Sequence, residues 1–298
     1  MADDTNWGDT LKVAPVPVVD IPELDVSVYA DAFQDSAHIA EVTSSFLRSA
    51  TERGDMHVLL VSTAMVYGAW PNSPTPISER QSVRAVPRFA FANACATAEA
   101  LADAWRREVP GRSVTILRPV PVVEPRRPSA LVQALADAVA SEVAGTDMAA
   151  QFLHVDDLAE AKRIVHDVQP DGIFNVAPNG AIVGERLKEL SPHAFSLSLP
   201  SSVREFVDAV RWRFSKGPIP PGLREYTRHS WCVSNEKISA LGWTAKYSNE
   251  EAFVEGTTGS WYSSLSAQRR QELALSGAGA GVVMTLLLLR RLVKRARR

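Results

Sequence analysis

Cysteine is scarce in this 298-residue sequence: there are two, Cys95 and Cys232. Two cysteines build no disulfide framework, and no C-x-x-C pair or His/Cys cluster offers a zinc site. A reducing, cytoplasmic setting is the default expectation. The opening MADDTNWGDT is acidic and polar, which is not the pattern of a signal peptide. Excess positive charge is also missing from the body. Of 32 basic groups, six fall in the last nine residues, RRLVKRARR, and all 34 acidic groups precede them. The rest of the chain is therefore net acidic, and nucleic-acid binding is not expected. Internal repeats are absent. Apolar residues are not scarce, at 46% against 22% charged, so the body can bury a core large enough to offset the entropy of ordering.

The order of elements follows from periodicity. Residues 36–52 place Ile39, Val42, Phe46 and Leu47 at helical spacing. MHVLLVST (56–63) is a continuous apolar run with β-branched bias and reads as a buried parallel strand. A helix is expected around 89–107, and a second buried strand at 113–123, cut short by its prolines. Helices are expected over 129–144 and 155–168, the latter with Asp156 and Asp157 near its positive end. GIFNVA (172–177) reads as a third strand, and VAPVPVVD near the start as a short edge strand that tolerates proline. Strands alternating with helices imply an α/β fold with a doubly wound parallel sheet. From about residue 196 the rhythm breaks. A helix is expected over SSVREFVDAVRWRFSK, then turns mixed with short helices. The expected division is an α/β domain over 1–195, a small lobe over 196–267 and a tail helix over 268–298.

Five stretches, in order, resemble the extended short-chain dehydrogenase/reductases, the NAD-dependent epimerase/dehydratase family. They are VSTAMVYGAW (61–70), LRP (117–119), FLHVDDLAEA (152–161), FNVAPNGAIVGERL (174–187) and NEKISALGWTAKYSNEEAF (235–253). The resemblance implies an incomplete Rossmann-like sheet with a small C-terminal lobe that, in the family, holds a sugar nucleotide. It also implies a catalytic Ser or Thr at the strand end, which matches Thr63, with Ser62 beside it. The following helix should read Tyr-x-x-x-Lys-x-x-x-Glu, so that tyrosine and lysine face the cofactor from one side. Here it reads Phe91, Cys95 and Glu99. Phe91 exchanges no proton, and Cys95 supplies no fixed positive charge. No tyrosine elsewhere is followed four residues later by lysine.

The glycine-rich turn that cradles a pyrophosphate is missing too. Gly8 and Gly54 are isolated, and nothing like G-x-x-G-x-x-G precedes Thr63. The family's first βαβ unit is expected to be missing or unrecognisable. The exposed sheet edge would then be covered by VAPVPVVD or by a homo- or heterodimer partner. Pro121 stands where many family members carry an asparagine. The run SGAGAG (276–281) follows no strand and is not a displaced nucleotide loop. Arg211, Arg213, Arg224 and Arg228 lie where family members sometimes hold a nucleotide diphosphate, and a solvated basic face is a reading of at least equal weight. His154 with Asp156 and Asp157 offers a relay or metal site as one reading, and the structural role that the resemblance implies is the favoured one. Trp212, Trp231, Trp243 and Trp261 read as lobe core.

The tail carries a different signal. Leu273 to Leu289 are uncharged and mostly apolar, and Gly277 and Gly281 form a GxxxG spacing. As a helix this run is about 25 Å long, the lower limit for a membrane span. A full span would carry Arg290, Arg291, Lys294, Arg295, Arg297 and Arg298 outward, against the positive-inside preference. An interfacial helix over 273–298 on anionic headgroups is the favoured expectation, with docking on the protein's own surface as the alternative. Two functions follow from the resemblance. One is a degenerate, catalytically inactive member with a binding or scaffolding role at the membrane and no assigned cofactor. The other is an NAD(P)-dependent sugar-nucleotide epimerase or dehydratase whose cofactor-binding segment is absent from this chain.

Overall fold

The computed structural model describes residues 18–20, 32–125, 130–140, 148–190 and 219–257. Four strands form a parallel sheet: β1 (Val18–Asp20), β2 (His57–Val61), β3 (Ser113–Pro119) and, next to β3, Gly172–Val176. Val18 pairs with Leu59, His57 with Ser113, and Thr115 with Gly172. The VVD of VAPVPVVD is thus strand β1, and it covers the edge of β2 that the sequence left open. Every residue of β2 is buried, as a strand covered on both faces must be.

Helices α1 (Ala32–Arg53) and α2 (Ala90–Glu108) lie on one face. Ile39, Leu47 and Ala50 from α1, with Ala94, Ala98, Ala102 and Trp105 from α2, pack on Val58, Leu60, Val114 and Ile116. The small alanines let α2 approach the sheet closely, and Arg106 and Arg107 complement the negative end of its dipole. Alternate strand residues Leu59, Val61 and Leu117 belong to a second, larger cluster.

That cluster also takes in residues of the short strand β4 (Val122–Val123), helix α3 (Ala130–Ala140) and the two-residue strands β5 (Ala149–Ala150) and β6 (Leu153–His154). Helix α4 (Val155–Val168) comes next and buries Ala161, Ile164 and Val165 on the sheet's second face. Its C-cap, Gln169, takes a left-handed conformation (φ 50°) and donates its N–H to Val165 O, and Pro170 bars continuation. The chain then forms β7 (Gly172–Val176), β8 (Ile182–Val183), which pairs antiparallel with β5, and α5 (Gly184–Leu190). Three short helices close the described chain: α6 (Glu225–Arg228), α7 (Glu236–Ser239) and α8 (Asn249–Thr257).

β7 has its outer edge dressed by side chains. Lys237 Nζ donates to Ile173 O at 2.7 Å, Asn175 N donates to Glu79 Oε1 at 2.9 Å, and Asn235 Nδ2 donates to Ala177 O at 2.8 Å. Charged groups at these places blunt edge-to-edge pairing.

Among the described residues no helix is long and apolar enough to cross a membrane. The expected tail helix over 273–298, the helix at 201–216, and Arg211, Arg213, Trp212 and Trp261 lie outside the described residues.

Candidate functional site

Open α/β sheets bind ligands at the carboxyl ends of their strands. Here β2 ends in Ser62 and Thr63 and runs into a single 3-10 turn, Ala64–Tyr67. Thr63 is the N-cap of that turn. Its hydroxyl accepts the Met65 N–H at 3.2 Å, and the residue is 4% exposed. The hydroxyl therefore satisfies its own backbone, as a strand-end cap does. Gly68 ends the turn at φ 69°, and a Cβ there would stand 2.4 Å from Arg84 O, so no other residue fits without displacing the chain.

The helix α2 presents Phe91, Cys95 and Glu99 inward, one turn apart, as the i, i+4, i+8 spacing demands. Phe91 is 4% exposed and Cys95 fully buried. Phe91 meets the ring of Phe89 edge-on at 6.1 Å, and Phe89 lies 5.5 Å from the ring of Tyr226. The Tyr226 hydroxyl donates to Met65 O at 2.6 Å, so the lobe residue reaches into the turn that follows Thr63. Leu223 and Trp231 belong to the same cluster. Gly222 makes this approach feasible: a Cβ there would lie 2.8 Å from Phe89 N. Burial, aided by the negative charge of Glu99, raises the Cys95 thiol far above its ordinary range, so it stays protonated. The end of β2 is thus packed with aromatic and aliphatic side chains, and no general acid or fixed cation stands among Thr63, Phe91 and Cys95.

Glu99 is engaged differently. Arg118, on β3, grips it in a fork: Nε to Oε1 at 3.0 Å and Nη2 to Oε2 at 2.5 Å, with side-chain exposures of 2% and 6%. The Ser62 hydroxyl donates to Glu99 Oε1 at 2.6 Å. Arg118 also lies over the Tyr67 ring, 4.6 Å from its centroid. The Tyr67 hydroxyl donates to Asn175 Oδ1 at 2.8 Å, and Asn175 Nδ2 to Ile77 O at 3.2 Å. Burial opposes the Arg118 charge, but the Glu99 carboxylate outweighs it and holds the guanidinium protonated. Burial likewise raises the Tyr67 phenol. This network ties β2, β3, β7, α2 and the 77–79 loop together. In the sequence Arg118 stood within the LRP stretch and Glu99 within the helix pattern. Tyr67 and Asn175 were not singled out. Their signal was polarity on otherwise apolar elements.

A cavity of ≈ 1230 Å³ flanks α2, bordered by Glu99, Asp103, Arg106, Arg118 and Lys237, with Val114, Ile116 and Ile173 beneath. Neither Thr63 nor Phe91 nor Cys95 borders it.

Arg224 is 6% exposed and Arg228 approaches Glu225 at 3.7 Å with its side chain 22% exposed, which corrects the reading of these two as a solvated basic face. Trp231 and Trp243, each 1% exposed, are core as expected. His154 caps α4 through Nδ1, which accepts Asp156 N–H at 3.2 Å. Asp157 receives the N–H groups of Lys246 and Tyr247 on its two carboxylate oxygens, at 2.8 and 3.1 Å. The stretch is structural. Among the described residues no group of three or more His, Cys, Asp or Glu side chains is arranged to hold a metal.

A family model described as the NAD dependent epimerase/dehydratase family matches residues 26–177. An uncharacterized protein of Mycobacterium tuberculosis is 29% identical over 126 residues, which is 42% of this chain. That matched stretch spans about a third (34%) of the length of the mycobacterial relative. Among solved structures, a UDP-glucose 4-epimerase from Thermotoga maritima with UDP-glucose superimposes with a TM-score of 0.56 at 17% identity, covering 82% of this chain and 76% of that one. A dTDP-glucose 4,6-dehydratase double mutant from Streptomyces venezuelae, with NAD bound, gives a TM-score of 0.57 at 17% identity, covering 83% and 73%. At these identities the likeness carries the fold.

Proposed function

The chain belongs to the NAD dependent epimerase/dehydratase family, and from that premise we propose that it is a catalytically silent member whose role is binding or scaffolding. One observation carries the reading. Phe91 and Cys95, which the sequence resemblance aligns with the family's tyrosine and lysine, are buried, at 4% and 0% exposed. The residues present do not fit a nicotinamide ribose. The lysine that would bond its hydroxyls is replaced by a neutral buried thiol, and Tyr226 and Phe89 pack where a cofactor-facing surface is needed. The Thr63 hydroxyl accepts the Met65 N–H and caps its own turn. General acid–base transfer needs a titratable group within hydrogen-bond reach of the substrate, and at this end of the sheet the described candidates Glu99 and Tyr67 are engaged by Arg118, Ser62 and Asn175.

The test is calorimetric titration of NAD⁺ and NADH into the folded protein, paired with a turnover assay on UDP-glucose and dTDP-glucose. The expected result is no heat at millimolar cofactor and no turnover. Micromolar binding would restore the cofactor. Turnover abolished by Thr63→Ala would overturn the reading in favour of an active sugar-nucleotide epimerase or dehydratase, the enzyme classes of the solved neighbours.

The second part of the proposal concerns place. The apolar run Leu273–Leu289 followed by six basic residues supports an interfacial helix on anionic headgroups. The protein is expected to float with vesicles containing phosphatidylserine and not with neutral ones. Replacing Arg290, Arg291, Lys294, Arg295, Arg297 and Arg298 by glutamine is expected to cost at least tenfold in partitioning, on the order of 1 kcal/mol for each charge near the surface. Equal flotation with neutral and anionic vesicles would refute the electrostatic part.

A further inference from the structure

The cavity of ≈ 1230 Å³ beside α2 lies away from Thr63, Phe91 and Cys95. Its origin is topological. Helices α1 and α2 pack over β2 and β3, and α4 packs on the opposite face. On the α2 side, the sheet between α2 and the start of the short helix α7 is therefore left as a groove. Val114, Ile116 and Ile173 form its floor, and the small Ala96 and Ala100 keep the α2 wall low. The volume is ample for a drug-sized molecule, which needs about 300–1000 Å³. The charges around the groove are matched among themselves. Asp103 pairs with Arg106 and Arg107, and Arg106 approaches Asp171 at 3.6 Å. Glu79 accepts the Asn175 N–H, and Lys237 donates to Ile173 O. Arg80 and Glu236, one of each sign, are exposed at the rim. One donor is left over. Arg118 borders the cavity with its side chain 2% exposed, and its Nε and Nη2 go to Glu99. The buried Nη1 has no hydrogen-bond partner among the described residues. Tyr67 favours the guanidinium charge from its ring face, but Nη1 carries two hydrogens and one phenol oxygen could answer only one of them. A buried donor left unmet bears its desolvation cost without return.

We propose that this groove binds an uncharged, largely apolar molecule bearing a carbonyl oxygen, its apolar body on Val114, Ile116 and Ile173 and its oxygen accepting a hydrogen from Arg118 Nη1. The chemistry of the ligand follows from what the site already holds. Glu99 neutralises the guanidinium, so a carboxylate or phosphate would add an unbalanced charge beside a buried ion pair. A plain hydrocarbon would cover the floor and leave Nη1 unmet. A carbonyl completes the guanidinium and adds no charge. The groove shares no residue with Thr63, Phe91 or Cys95, so the assignment stands whether or not the chain binds NAD.

The probes are acetophenone and α-methylstyrene, which have the same shape and differ in a carbonyl oxygen against a methylene group. Each is titrated by NMR into the full chain, isotopically labelled at isoleucine and valine methyl groups and at arginine nitrogens. Acetophenone is expected to shift the Ile116 and Ile173 methyl resonances saturably, with a Kd on the order of 1 mM for so small a molecule. It is also expected to move the Nη1 protons of Arg118 downfield. α-Methylstyrene should shift the methyl resonances and leave the Nη1 protons in place. Ala100→Trp lies on the α2 wall, outside the ion pair, and should fill the groove and abolish both responses. An absence of saturable methyl shifts with acetophenone overturns the proposal. So do shifts that persist in Ala100→Trp, or an Nη1 response that is the same for both probes, which would mean an apolar surface whose donor is served by water alone. Should Ala100→Trp not fold, Val83→Trp, also bordering the cavity and 42% exposed in the natural chain, takes its place.

Discussion

Replacing Arg118 by methionine is expected to lower the stability of the protein by about 3–5 kcal/mol, the cost of leaving one member of a buried ion pair without its partner. Glu99 would lose its cationic partner in a site where its side chain is 6% exposed and the Ser62 hydroxyl is its remaining described contact. Methionine fills much of the same volume, so little of the loss comes from an empty space. The double replacement Glu99→Leu with Arg118→Met should recover most of the loss, because neither charge is then stranded. Urea unfolding of the two single variants and the double gives the coupling. Additive losses in the double would show that the pair is not the coupled unit described here. The effect is large because Arg118 sits on a central strand and Glu99 on α2, and Tyr67 and Asn175 join the same network.

Trp243→Ala is expected to cost about 3–5 kcal/mol, the range for deleting a buried large aromatic. Trp243 is 1% exposed, and its indole N–H donates to Asp157 O at 3.0 Å. Its removal leaves a void in the main cluster and frees one of the ties between α4 and the segment that follows α7. Trp243→Phe keeps most of the volume and loses the hydrogen bond, so it should cost about 1–2 kcal/mol. Thermal or urea unfolding of both variants checks the order. A loss below 1 kcal/mol for Trp243→Ala would mean that this segment is not packed on the body as described.

The two replacements probe the framework on which the proposed loss of the acid–base pair rests. The fold around Thr63 is well filled, and what fills it is specific. Phe91 meets Phe89 edge-on. Cys95 has no exposure, and a charge at its position would be costly. Tyr226 then closes on Met65. A packed core and a cofactor-facing surface make opposite demands on these positions, and the residues present satisfy the first.

Periodicity by itself determined where the long elements run. The helix expected over 155–168 is α4 to the residue, the one around 89–107 is α2, and the buried run MHVLLVST contains β2. These signals are local, since a helix repeats every 3.6 residues and a doubly covered strand is apolar throughout. That Phe91 and Cys95 stand where the resemblance expects tyrosine and lysine was equally plain in the sequence, because it is a matter of residue identity. The pair Ala149–Ala150 with Ile182–Val183 was not, since two-residue strands have no period to detect. Other features were decided only by the tertiary structure. That VVD covers β2, that Arg118 finds Glu99, that the Thr63 hydroxyl turns to Met65, and that Tyr226 reaches the end of β2 all depend on which distant segments meet. The residues can be read one by one, but a hydroxyl or a guanidinium has several partners within its chemistry, and only the packed chain selects one.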